Sequence, residues 1–155
     1  MTDYPKTKAA GSLNIWSAIF SIIAGAGIAY LIFSGKFRIV PEGEENGLEN
    51  LGLIVILPMA LIHVGVLILS FLTQLIRGLR LKAAANSGEI SLASYIATLI
   101  FKLIYLIASA LAIILYLDVK VGGMVAIILT LVGIIPLFIT MIFEFATKNE
   151  ILDEE

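Results

Sequence analysis

Residues 51–72 read LGLIVILPMALIHVGVLILSFL, twenty-two residues without one charge. A helix needs about 20 apolar residues to cross the hydrocarbon of a bilayer, so this run is long enough by itself. Three more stretches repeat the pattern: Leu13 to Phe33 and Val121 to Phe143 carry no charge, and Ile90 to Leu117 carries only Lys102. The whole chain is 60% apolar and 14% charged, whereas soluble domains are roughly half apolar and a quarter charged. A soluble bundle would leave four helices apolar all the way round with nothing to face water.

The expected fold is an all-α integral membrane protein, a four-transmembrane-helix up-and-down bundle. It forms a single domain over 1–155, with helices at about 13–33, 51–85, 91–117 and 121–147. The second helix runs past the membrane edge through TQLIRGLRLKAAA until Asn86-Ser-Gly88 ends it. An acidic external loop covers 34–50 and an acidic, solvated C-terminal tail covers 148–155. The first run is too long for the apolar part of a signal peptide and follows a polar start, so it stays as a helix. Short connections make successive helices antiparallel neighbours.

Basic residues mark the cytoplasmic side of short loops. Lys6, Lys8, Arg77, Arg80, Lys82, Lys102 and Lys148 share a side with both termini, against Lys36, Arg38 and Lys120 on the other. Both termini are therefore expected in the cytoplasm, and the localisation is the multi-pass cytoplasmic membrane of a prokaryote. The chain has no cysteine, which removes disulfides, thiolate metal sites and covalent haem attachment.

The polar residues fall on faces. At about 100° per residue, Ser94, Thr98, Lys102, Tyr105, Ser109 and Tyr116 occupy one arc of the third helix. His63, Ser70, Gln74 and Arg77 cluster on the second, and Gly122, Ala126, Thr130, Gly133, Thr140 and Glu144 on the fourth. The first offers Asn14, Ala18, Ser21, Gly25 and Ala29. Polar side chains facing lipid are costly, so these stripes should turn to the interior, a cavity or another chain. Ser21, Gly25 and Ala29, and Gly122, Ala126 and Gly133, have the small-residue spacing of close helix packing. They lie in the outer halves of their helices, whereas the larger polar residues lie mostly inward. A tight outer half and a looser, polar, cytoplasm-facing half are expected.

His63, the one histidine, is placed near the midplane at the depth of Ser21, Tyr105, Ser109 and Thr130. A neutral imidazole needs a donor and an acceptor. It either bridges helices through one of those hydroxyls or serves as a proton or ligand site. Haem ligation would require a second axial ligand from another chain. Lys102 and Glu144 either meet or flank a site. Arg77, Arg80 and Lys82 are read as lipid-headgroup contacts rather than a nucleic-acid patch.

Glu42, Glu44 and Asn46 imitate the start of a calcium loop, but Leu53 stands where a bidentate Glu is required, so no metal is expected. No catalytic constellation and no cofactor motif is present. The functional expectation is a small accessory or regulatory subunit that is not an enzyme. It would bind membrane lipids, an amphiphile or a partner chain through its polar faces, as a homo-oligomer or within a larger membrane complex. The alternative is a small oligomeric proton-coupled transporter, with His63 as proton site and Lys102 and Glu144 flanking the inner pathway.

Overall fold

The computed structural model describes residues 4–38, 47–88 and 90–151. Four helices follow one another: α1 Pro5–Phe33, α2 Gly47–Ser87, α3 Leu92–Tyr116 and α4 Gly123–Ile151. All four are long and apolar enough to cross a membrane. α1 packs against α2 and α4, and α3 closes the ring against the same two. Trp16, Phe20, Ile62, Ile100, Leu111 and Ile142 stand exposed on the outside. Such a surface suits hydrocarbon and not water. The end that carries both termini and the α2–α3 turn is called the terminal end below, and the other the distal end.

Three helices outrun the apolar stretches that nucleate them. α1 starts at Pro5 rather than near Leu13, because proline at the first position has a preset φ and no N–H to satisfy. The next two free amides, of Lys6 and Thr7, donate to the Glu150 carboxylate at 3.2 and 2.7 Å, and the Thr7 hydroxyl adds a bond at 2.9 Å. The tail expected to be solvated from 148 therefore continues α4 as far as Ile151 and caps α1. An acidic group is favoured there by the exposed amides and the helix dipole. α2 has 41 residues, about 60 Å by helical rise, about twice the length that the hydrocarbon of a bilayer requires. It stops where Gly88 takes φ +74° and its N–H reaches back to Ala84 O at 2.6 Å.

At the distal end the loop after α1 and the turn before α4 are joined. Arg38 and Val121 exchange backbone bonds of 2.9 and 2.8 Å, the one β-bridge among the described residues. Gly122, expected to pack on a helix face, lies outside α4 at φ +82°. A Cβ there would strike the Lys36 carbonyl. Its role is turn geometry, because an L side chain rarely takes that φ.

The interior of the distal half is apolar, with Ile28, Leu31, Phe37, Ile56, Leu67, Tyr116 and Ala126 in one buried cluster. Gly25 lies against Leu67, and Gly133 faces Leu67, Ala24 and Ser21. Ala29 is only half-buried, since Ile28 takes the inward position. The terminal half, expected to be the looser, holds a close glycine pair of its own. A Cβ on Gly11 would lie 2.9 Å from Gly78 O, and one on Gly78 2.7 Å from Gly11 O. α1 and α2 thus touch backbone to backbone at the terminal end, and the looseness there lies between α2 and α3.

Candidate functional site

His63 is buried, at 3% exposure, and both ring nitrogens are engaged by α3. Nδ1 lies 2.7 Å from Tyr116 Oη and Nε2 lies 3.3 Å from Ser109 Oγ. Tyr116 and Ser109 are seven residues apart, two helical turns, so one face of α3 presents both hydroxyls. The Tyr116 ring also lies 5.6 Å from the imidazole and edge-on to Phe37 at 5.8 Å. Three of the four proposed neighbours go elsewhere. Tyr105 accepts a 3.3 Å bond from Thr73, and Thr130 donates to the Ala126 carbonyl. Ser21 pairs with Ser70 and Gln74. His63 is thus a clasp between α2 and α3, with Tyr116 the partner that sequence reasoning set on the right face but not beside the ring.

Nearer the terminal end, all four helices contribute to one buried ion cluster. Glu144 from α4 is fully buried. It receives Arg77 Nε at 3.1 Å on Oε1 and Arg77 Nη2 at 2.9 Å on Oε2, a two-pronged pair. Lys102 from α3 also meets it, at 3.4 Å, so the two residues that could either meet or flank a site do meet. Lys102 Nζ donates further to Asn14 Oδ1 at 2.6 Å and Thr140 Oγ1 at 2.9 Å. Asn14 is held by its amide to Ala10 O at 2.8 Å. Arg77 Nη1 bonds Ser94 Oγ at 3.0 Å. The planar guanidinium suits this work, because its fork matches a carboxylate and leaves a donor over.

The expected lipid-headgroup run is hereby divided. Arg77 is 5% exposed and is committed to Glu144, because a carboxylate one helix away offers more than water at that depth. Arg80 is exposed and lines the gap toward α3. Lys82 is exposed but lies over α1, with its Cγ beside Gly11. Residues 77, 80 and 82 leave an α-helix in three directions, so a run in sequence is not a patch in space.

Between α2 and α3 at this end lies a cavity of about 560 Å³, within the ~300–1,000 Å³ typical of small-molecule sites. Thr73, Gln74 and Ile76 form one wall, Ala97, Thr98 and Phe101 the other, and Arg77, Arg80 and Lys102 bring basic groups to it. Two of the basic side chains in its wall, Arg77 and Lys102, share the one carboxylate of Glu144 behind it. Gln74 is 1% exposed; its amide nitrogen bonds Ser70 and Ser21 at 2.7 and 3.2 Å, but its Oε1 has no partner. The cavity ends at Tyr105 and does not reach His63. No group of residues able to hold a metal occurs among the described residues, and the spacing at Glu42, Glu44 and Asn46 lies outside them.

No known family model matches the chain, and neither a curated protein nor a solved structure is significantly similar to it.

Proposed function

We propose that this chain is an accessory or regulatory membrane subunit that binds an amphiphile from the surrounding bilayer in the crevice between α2 and α3, with its termini in the cytoplasm. The observation that carries the reading is the crevice itself, apolar along Ile76, Ala97 and Phe101 and basic at Arg77 and Arg80. A molecule with a polar head and an apolar tail matches both ends of such a wall. A flat partner helix would match only one. The transporter reading has less support, since the cavity lining leaves out His63 and both ring nitrogens already have hydroxyl partners.

The test is native mass spectrometry of the protein released from its own membrane in mild detergent. A retained adduct of lipid mass is expected, lost in Ala97→Trp, whose indole would fill the gap. Retention of the same adduct in Ala97→Trp, or none in either protein, would remove the crevice as a binding site.

A further inference from the structure

The chemistry of the occupant can be read from the order of groups along the crevice, an inference that rests on the amphiphile reading above. A second cavity, of about 340 Å³, adjoins the first toward the terminal end, and the two share Arg77, Arg80 and Ser94. Together they make a trough whose composition changes with depth. At its outer part stand Arg80, Ser91, Ser94 and the edge of Arg77, whose guanidinium is already bonded to Glu144 and Ser94. Ser91 caps α3, accepting the Ser94 N–H, so the start of a 25-residue helix adds its positive end to the two guanidinium groups. Arg80 has no carboxylate partner among the described residues, while the Glu144 carboxylate is taken by Arg77 and Lys102.

About one helical turn deeper than Arg77 comes Gln74, with its unpartnered carbonyl oxygen. A buried acceptor without a donor is costly unless a ligand or water supplies one. Deeper still the walls are Thr73, Ala97, Phe101 and Tyr105. Thr73 turns its hydroxyl back to Leu69 O at 2.9 Å, with Tyr105 Oη 3.3 Å away.

Read from outside inward, the trough asks for an anion, then a hydrogen-bond donor, then a hydrocarbon chain. We propose that it binds a single-chain lipid with a phosphate monoester headgroup and a free hydroxyl beside it. The phosphate would lie against Arg80, Arg77 and Ser94, the hydroxyl would donate to Gln74 Oε1, and the chain would run between Ala97 and Phe101 toward Tyr105. Charge-assisted bonds to a planar guanidinium favour an anionic head over a neutral one, and the hydroxyl would give Gln74 Oε1, enclosed in the empty trough, the donor it lacks.

Four probes separate these elements in calorimetric titrations of the whole protein in a neutral detergent: 1-lauroylglycerol 3-phosphate, dodecyl phosphate, 1-lauroylglycerol and inorganic phosphate. The first should bind about tenfold or more tightly than 1-lauroylglycerol, dodecyl phosphate should fall between, and inorganic phosphate should show no saturable binding. Arg80→Gln, at an exposed position, should reduce affinity for 1-lauroylglycerol 3-phosphate about tenfold and leave 1-lauroylglycerol unchanged. Lys148→Gln, which removes the same charge from α4, should change neither.

Equal affinities for the phosphorylated and neutral lipids, or an Arg80→Gln protein that binds as the parent does, would overturn the phosphate assignment while the amphiphile reading stands. Equal binding of dodecyl phosphate and 1-lauroylglycerol 3-phosphate would remove the hydroxyl. Saturable inorganic phosphate binding as tight as that of the lipids would overturn the chain's part. Failure of all three amphiphiles to bind would instead sink the amphiphile reading itself.

Discussion

The two ends of the bundle solve the same problem in opposite ways. In the distal interior, polar groups are few and have no charged partner: His63 finds Tyr116 and Ser109, and the rest is apolar packing around Ile28, Leu67 and Ala126. At the terminal end the interior holds Arg77, Lys102 and Glu144 with Asn14 and Thr140 around them. The first arrangement leaves no open request for a partner. The second has more basic groups than carboxylates, an unpartnered amide oxygen and a gap beside them. Burial alone therefore does not mark a site; unmatched charge next to open space does.

The contrast is broken most severely at Glu144. Its removal leaves two buried basic groups without a counter-charge, and breaking one side of a buried pair costs about 3–5 kcal/mol. Glu144→Gln is expected to lose that much in unfolding measured in detergent. Lys102→Met, which leaves the Arg77–Glu144 pair intact, should lose clearly less. Equal losses would mean that all three groups are held by Glu144 alike and that the imbalance has no energetic meaning.

The backbone contact of α1 with α2 predicts a middle-sized effect. Gly78→Ala places a methyl against the Gly11 carbonyl and Ile15, at about 1–3 kcal/mol for overpacking. Gly65, around which a Cβ would meet nothing within 4 Å, is the matched site on the same helix, and Gly65→Ala should be tolerated. If both variants melt alike, the helices do not approach as described.

At the distal end the effect should be smaller. His63→Leu removes the bonds to Tyr116 and Ser109, worth about 1 kcal/mol in a membrane interior, and His63→Gln should recover part of it. If His63→Gln folds normally but abolishes a pH-dependent flux in proteoliposomes, the ring is a proton site and the distal end is not inert. A comparable loss, about 0.5–2 kcal/mol, is expected for Glu150→Gln at the α1 cap. Amide exchange of Lys6 and Thr7 should quicken in that variant, and unchanged exchange would show that the carboxylate does not hold the first turn.

Much of this was legible in the apolar runs and their spacing. Runs of more than twenty apolar residues can do little but cross a bilayer, so four helices follow from length and hydropathy alone. The stripe on α3 was legible for the same reason: its polar positions repeat with the helix and all turn inward or to the crevice. Arg77 shows where one residue carries two signals. Its helical position beside His63, Ser70 and Gln74 points inward, while the basic run with Arg80 and Lys82 points to lipid headgroups. The inward signal prevails because Glu144 is within reach on α4.

What could not be read lies between helices. The depth at which α2 slides along α3 decides that His63 meets Tyr116 rather than Tyr105. No single helix records that offset. The Gly11–Gly78 contact and the Glu150 cap depend on the polar start of α1 and the polar end of α4, whose helical continuation was not apparent from hydropathy. The crevice arises because small Ala93 and Ala97 face Arg77 and Arg80, a mismatch visible only once the two faces are opposed.

Entry of a lipid chain between α2 and α3 at the terminal end can be tested directly. The chain lacks cysteine, so a bimane fluorophore can be placed singly at Thr98→Cys, in the crevice, and at Ile100→Cys, on the outer surface. Vesicles containing lipid brominated in the middle of the chain should quench both. Quenching at position 98 should saturate at low brominated fraction and be reversed by 1-lauroylglycerol 3-phosphate, while quenching at position 100 should rise steadily and not be reversed. Absent quenching at position 98, or a response identical to that of position 100 and indifferent to competitor, would contradict entry of the chain there.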